Sequence, residues 1–136
     1  MQPVTPRDFL QVALQRLTAA EEIMEKLELT LEAQYIGGYS VECSLKALVL
    51  EKTPIVERIN MHHILTHGAA SHQAEKLLGK LRHRRTHLTD ELARRMRRFD
   101  WNTSLRYETG RKDTGETNGL LRTARVLYKW VEEQIS

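Results

Sequence analysis

Apolar residues recur along most of this chain at intervals of three and four positions, the spacing that places side chains on one face of an α-helix. The alternation typical of strands is nearly absent, and no Asn-Gly turn separates two apolar runs. We therefore predict an all-α, antiparallel bundle of four to five helices, because this arrangement buries one apolar stripe from each helix. The predicted helices cover residues 6–28, 31–52, 69–83, 89–99 and 118–135.

Capping residues and turn formers mark several of the predicted boundaries. Thr5 precedes a proline, which is favoured in the first helical position, and Asp8 stands where a capping box places an acidic side chain. Thr30 is the expected cap of the second helix. Residues 61–68 are predicted to form a loop or short turn, and residues 102–117 a polar connection before the last helix.

The second predicted helix is apolar around most of its circumference, which is typical of a central helix wrapped by its neighbours. It contains Gly37 and Gly38, and each interior glycine costs about 1 kcal/mol relative to alanine. We therefore expect another element to pack closely against this backbone. Glu42 and Lys46 lie one turn apart on a narrow polar strip, in the favourable order of acid before base.

Composition indicates a single domain that spans residues 1–136. With 40% hydrophobic residues, a chain of this length can bury a substantial core. No run approaches the roughly 20 apolar residues that cross a bilayer, and the N-terminus does not resemble a signal peptide. We expect a cytoplasmic protein without a membrane partner. The single cysteine, Cys43, lies on an apolar helix face and is predicted to be a buried thiol rather than a nucleophile.

Basic charge is concentrated in one segment of the chain. Residues 80–112 contain 11 Lys and Arg against 4 Asp and Glu, whereas residues 1–79 contain 7 against 10. Such a segment attracts phosphate through counterion release, although a solvated surface or a face for an acidic partner protein explains it equally well. The predicted nucleic-acid-binding residues are Arg94, Arg95, Arg97, Arg98, Arg106 and Tyr107.

Histidines raise the question of a metal site. His62, His63, His67 and His72 lie close together in the sequence, but no cysteine pair or His-Glu-x-x-His motif accompanies them. No Walker-type lysine loop is present either. We therefore expect no metal and no cofactor.

Two strings of residues resemble a known family. Residues 38–48 read Gly-Tyr-Ser-Val-Glu-Cys-Ser-Leu-Lys-Ala-Leu, and residues 101–107 read Trp-Asn-Thr-Ser-Leu-Arg-Tyr. In this order, and with the helices around them, they resemble HEPN domains of a common bacterial subgroup over most of the chain. The resemblance implies a helical bundle, a two-fold homodimer formed through the long helices, and a role in defence or toxin–antitoxin modules. It also implies a minimal nucleotidyltransferase as a partner.

Ribonuclease members of this family carry an arginine, then a polar residue, then a histidine a few positions later. The string from Arg82 to His87 fits that pattern. Histidine can move the 2′-hydroxyl proton, and arginine can stabilise the negative charge that develops on phosphorus. By order along the chain, however, Arg106 and Tyr107 occupy the family position better, and no histidine follows them at the required distance.

Three hypotheses follow. The favoured one is a HEPN-like component of a toxin–antitoxin or defence module that binds RNA or a nucleotide through the basic surface without catalysis. The alternatives are a metal-independent endoribonuclease toxin that uses Arg82 and His87, and a protein-interaction module that docks a nucleotidyltransferase. Whether the chain is an enzyme stays open at this point.

Overall fold

The computed structural model describes residues 2–67, 73–99, 105 and 107–135, and these residues include six α-helices and a 3-10 turn. No strand occurs within those ranges, so the predicted all-α fold is confirmed. None of the helices in them is long and apolar enough to cross a membrane. The helices are α1 (Pro6–Leu27), α2 (Thr30–Glu51), α3 (Arg58–Thr66), α4 (Ala74–His83), α5 (Asp90–Met96) and α6 (Thr114–Gln134), and the 3-10 turn is Ile55–Glu57.

The first two helices form an antiparallel hairpin. The predicted capping box is confirmed, because the Thr5 side chain accepts the backbone N–H of Asp8 at 3.1 Å and the Asp8 carboxylate accepts that of Thr5 at 3.0 Å. The first helix ends where Glu28 adopts the left-handed conformation, with φ of 51°. Only Glu28 and Leu29 separate the two helices, and the short link folds α2 back along α1.

The second helix is the centre of the bundle, as its sequence predicted. It contacts α1, α3, α4 and α6, and every residue from 40 to 50 is buried. The strip predicted to be polar is therefore not at the surface. Lys46 Nζ lies 2.8 Å from Glu42 Oε2, and both side chains are almost completely shielded from water. Ser40 satisfies its buried hydroxyl by donating to the Ala13 carbonyl of α1.

The last helix begins earlier than predicted, at Thr114 rather than 118, because the Asp113 side chain caps it by accepting the Glu116 N–H at 2.8 Å. The backbone N–H of Lys112 donates to the Thr30 hydroxyl, which corrects the expectation that Thr30 caps its own helix. The Thr30 side chain instead ties the start of α6 to the start of α2.

The predicted helix over 89–99 is shorter in the structure, where α5 ends at Met96. Further differences from the prediction lie between α2 and α4. Residues 61–66 belong to α3 rather than to a loop, since Met61 and Leu65 are one turn apart and both bury their side chains. Arg58 fixes the start of this helix by donating to the carbonyls of Thr53 and Glu51. The fourth helix begins at Ala74, and the predicted helical residues 69–72 lie outside the described ranges.

Candidate functional site

A groove of about 780 Å³ opens between α4 and α5. It exists because the two helices pack on different partners: α4 packs on α2, whereas α5 packs on α6. The buried side chains of Leu77 and Leu81 hold α4 in place, and those of Leu92 and Met96 hold α5. The apolar residues of the groove wall are Ala74, Leu78, Leu81, Leu88, Ala93, Met96 and Phe99.

Arg82 and His87 line this same groove, so the structure brings together the two residues of the ribonuclease-like string. Arg82 lies in the last turn of α4, and His87 lies in the link to α5. A Schellman turn places them: the N–H of Thr86 donates to the carbonyl of Leu81, and that of Arg85 to the carbonyl of Arg82, both at 2.9 Å.

The Schellman turn has an unusual residue at its left-handed position. Arg85 has a φ of 56°, a conformation in which glycine is the usual choice because a Cβ atom is crowded there. A non-glycine residue in this region costs roughly 1–2 kcal/mol. No glycine lies between Gly79 and Gly110, so the sequence carries no glycine signal for this turn.

Five ionisable side chains face the groove: Glu75, Arg82, His87, Asp90 and Arg97. Within the described part of the chain, none of them makes a side-chain hydrogen bond or an ion pair. Acidic and basic side chains therefore line the same groove without forming ion pairs with one another. Such an arrangement leaves donors and acceptors available to a bound molecule.

The predicted basic surface is divided around α5. Arg97 lines the groove, while Arg94 and Arg98 are exposed outside it. Arg95 is partly neutralised, since its guanidinium lies 3.0 Å from the Glu91 carboxylate. Arg94, Arg95 and Arg98 can therefore add positive potential near the groove but do not line it.

The remaining predicted residues are less informative. Arg106 lies outside the described residues, as does Trp101. Tyr107 is 79% exposed and does not line the groove. The structure therefore brings together Arg82, His87 and Arg97 from the predicted set.

Phe99 lines the groove and packs against α6. A Cβ atom at Gly119 would lie 3.3 Å from Cζ of the Phe99 ring, so the glycine allows the ring to approach the helix backbone. Phe99 also packs against the small apolar cluster that includes Leu120 and Leu121. The bundle thereby supports the ring while the residue still lines the groove.

His62 and Cys43 take part in packing, whereas His63 and His67 are exposed near the end of α3. His62 Nε2 lies 2.7 Å from the Pro3 carbonyl, and the rings of His63 and His67 stack with centroids 4.0 Å apart. Among the described residues, no group of three or more His, Cys, Asp or Glu side chains is placed to hold a metal ion. Burial raises the pKa of the Cys43 thiol to about 12, which confirms the predicted buried thiol.

Glu75 and Asp90 were not among the predicted site residues. Each stands in the first turn of its helix, where a carboxylate is commonly explained by the helix dipole. The missed signal is a shared spacing, since Glu75 and Arg82 are seven residues apart and so are Asp90 and Arg97.

Comparison of the chain with protein-family models, characterised proteins and solved structures gives no match.

Proposed function

We propose that this chain is a HEPN-like component of a toxin–antitoxin or defence module, and that it binds RNA or a nucleotide at the α4–α5 groove and the basic surface beside it. The observation that carries the proposal is the convergence of Arg82, His87 and Arg97 on one groove, unpaired within the described residues. Guanidinium groups bind phosphate through two parallel hydrogen bonds, and histidine adds a further donor.

The charge around the groove supports the same function. Residues 73–99 contain nine Lys and Arg against three Asp and Glu. A local excess of this kind attracts a polyanion over several ångströms and makes its binding depend on salt. Arg94 and Arg98, which lie outside the groove, strengthen that attraction for a strand longer than the groove itself.

The test is the salt dependence of RNA binding, measured by fluorescence anisotropy with a labelled single-stranded oligonucleotide. We expect the double variant Arg82→Gln/Arg97→Gln to bind about tenfold more weakly and to lower the slope of log K against log salt by about 1.4. Arg7→Gln is the matched control, because Arg7 is an exposed arginine of α1 that does not line the groove. Absent binding by the wild type, or equal losses in the control, would contradict the proposal.

A metal-independent endoribonuclease is the second candidate, and the shared groove of Arg82 and His87 favours it. In that reaction His87 removes the proton from the 2′-hydroxyl, and the oxygen attacks phosphorus. The bond to the 5′-oxygen breaks, that oxygen takes a proton from water, and the products are a 2′,3′-cyclic phosphate and a 5′-hydroxyl. Arg82 stabilises the charge on phosphorus. Expression should arrest growth, and His87→Ala should relieve the arrest whereas the neighbouring His83→Ala should not. Harmless expression without RNA cleavage would exclude this candidate.

A different surface favours the protein-docking candidate. Ile55, Val56 and Ile59 are 80%, 92% and 89% exposed, and apolar groups left in water at this level commonly mark protein interfaces. The expected homodimer and the nucleotidyltransferase partner both remain predictions. Co-purification with a co-expressed nucleotidyltransferase, and its loss in Val56→Lys/Ile59→Lys, would support docking at this surface; an unaffected complex would place the interface elsewhere.

A further inference from the structure

Two helices contribute the same set of groups to the groove. On α4 these are Glu75, Leu78 and Arg82. On α5 and its C-cap residue they are Asp90, Ala93 and Arg97, and the backbone of Arg97 is still in the α-helical region. In each set the second residue follows the first by three positions, and the third follows the first by seven. Seven residues complete almost two helical turns, so the members of a set share one face of the helix. Each helix therefore presents a carboxylate, an apolar side chain and a guanidinium in line.

The separation within each set explains why its charges do not pair. A rise of 1.5 Å per residue puts the carboxylate-bearing and guanidinium-bearing positions roughly 10 Å apart along the helix axis. This is far beyond the distance of an ion pair. A ligand that spans the gap must offer an anion at one end and hydrogen-bond donors at the other, with an apolar part between them.

A site that binds only phosphate would need neither an apolar wall nor carboxylates. The apolar wall adds nothing to phosphate binding, and Glu75 and Asp90 would repel it. Carboxylates only accept hydrogen bonds when ionised, so they favour a ligand that donates. Adenine, cytosine and guanine carry exocyclic amino groups, and carboxylates accept from such groups in nucleic-acid complexes. Uracil carries no amino group.

On the basis of the proposed function, we propose that the groove holds one nucleotide whose base carries an exocyclic amino group. The base lies against the apolar wall near Leu78, Met96 and Phe99, and its amino group donates to Glu75 or Asp90. The phosphate binds the guanidinium of Arg82 or Arg97. The volume of about 780 Å³ suits a ligand of this size, since small-molecule sites commonly measure about 300–1,000 Å³.

The experiment compares binding of CMP, AMP and UMP, and of single-stranded oligomers of cytidine, adenosine and uridine, to the wild-type protein. We expect the ligands with amino groups to bind about tenfold more tightly than their uridine counterparts. Mononucleotide binding with this preference would identify the free nucleotide as sufficient, whereas preference in the oligomers alone would identify an unstacked nucleotide of single-stranded RNA. Either result supports the proposal.

Two variants separate this inference from the proposed function. Glu75→Gln/Asp90→Asn should bring the ratio of cytidine to uridine affinity close to one, whereas Arg82→Gln/Arg97→Gln should weaken the binding of both ligands alike.

A separate variant tests whether the ligand occupies the groove. Ala93→Leu, which fills the groove without changing charge, should weaken binding, and Ala19→Leu on the exposed face of α1 is its matched control.

The outcomes distinguish the two proposals. RNA binding without base preference, unaffected by Ala93→Leu, would overturn the inference and leave the proposed function standing. No binding of any ligand would overturn both.

Discussion

Leu121 of α6 packs directly on the backbone of Gly37 in α2. A Cβ atom built at position 37 would lie 2.7 Å from Cδ2 of Leu121 and 3.3 Å from Cδ2 of Leu120, both of which are buried. At the adjacent Gly38, no such contact occurs within 4 Å among the described residues. The close packing expected of the glycine pair is therefore confirmed at Gly37 but not at Gly38.

Alanine substitutions at the two glycines should have opposite effects. Gly38→Ala should raise the free energy of unfolding by about 1 kcal/mol, because alanine is the better helix former and its methyl group meets open space. Gly37→Ala should lower it by about 1 kcal/mol, because overpacking against Leu121 outweighs the gain in helix propensity. Urea denaturation followed by circular dichroism measures both. A stabilised Gly37→Ala would show that α6 moves aside at little cost.

The buried pair of Glu42 and Lys46 permits a comparison with an exposed pair of the same geometry. Lys46→Met should cost about 3 kcal/mol, because it leaves the Glu42 charge in the core without the Lys46 ammonium 2.8 Å away. Lys26 and Glu22 have the same spacing of four residues at 2.7 Å but lie exposed on α1. Lys26→Met should cost much less, because water screens that pair.

Chemical denaturation of the two variants under the same conditions provides the measurement. Lysine and methionine have similar helix propensities, so the difference between the variants isolates the effect of burial. Equal losses would mean that Lys46 contributes no more than a surface lysine.

Much of the fold could be predicted because long helices carry their pattern in the sequence. The stripe of α6 shows this, since Leu121, Ala124, Leu127 and Val131 follow one another at intervals of three and four residues and are all buried. The short α3 could not be recognised, because only Met61 and Leu65 are buried in it while apolar Ile59 faces water. In a helix of only 9 residues, this exposed apolar side chain obscures the helical spacing of the buried ones.

The site was less predictable than the fold. Arg82 and His87 could be named from the ribonuclease-like string, and Arg97 from the basic segment. The groove that joins them depends on α4 and α5 packing on different helices. That arrangement arises from contacts distant in sequence, such as Phe99 against Gly119. The repeated spacing of carboxylate and arginine was present in the sequence, but it acquires meaning only when both helices face one groove.

Cys43 should report on unfolding and on alkaline pH. Burial raises the pKa of its thiol from 9.0 to about 12, so a thiol reagent at pH 8 should modify it only after denaturation. Between about pH 9 and pH 12 the unfolded thiol ionises while the folded one does not, and the contribution of Cys43 to stability should fall as pH rises. Cys43→Ala should remove that part of the pH dependence. Rapid modification of the native protein at pH 8 would contradict the burial.

Arg85 offers a test of how the groove is built. Arg85→Gly should raise the free energy of unfolding by about 1 kcal/mol, because glycine adopts the left-handed conformation without the steric cost of a Cβ atom. Arg84→Gly is the control. Arg84 has a φ of −95°, which requires no glycine, so this variant should gain no stability.

The Schellman turn would persist in Arg85→Gly and keep Arg82 and His87 at the groove. Nucleotide affinity should therefore remain close to that of the wild type, because Arg85 does not line the groove. A large loss of affinity in this stabilised variant would show that the Arg85 side chain itself contacts the ligand.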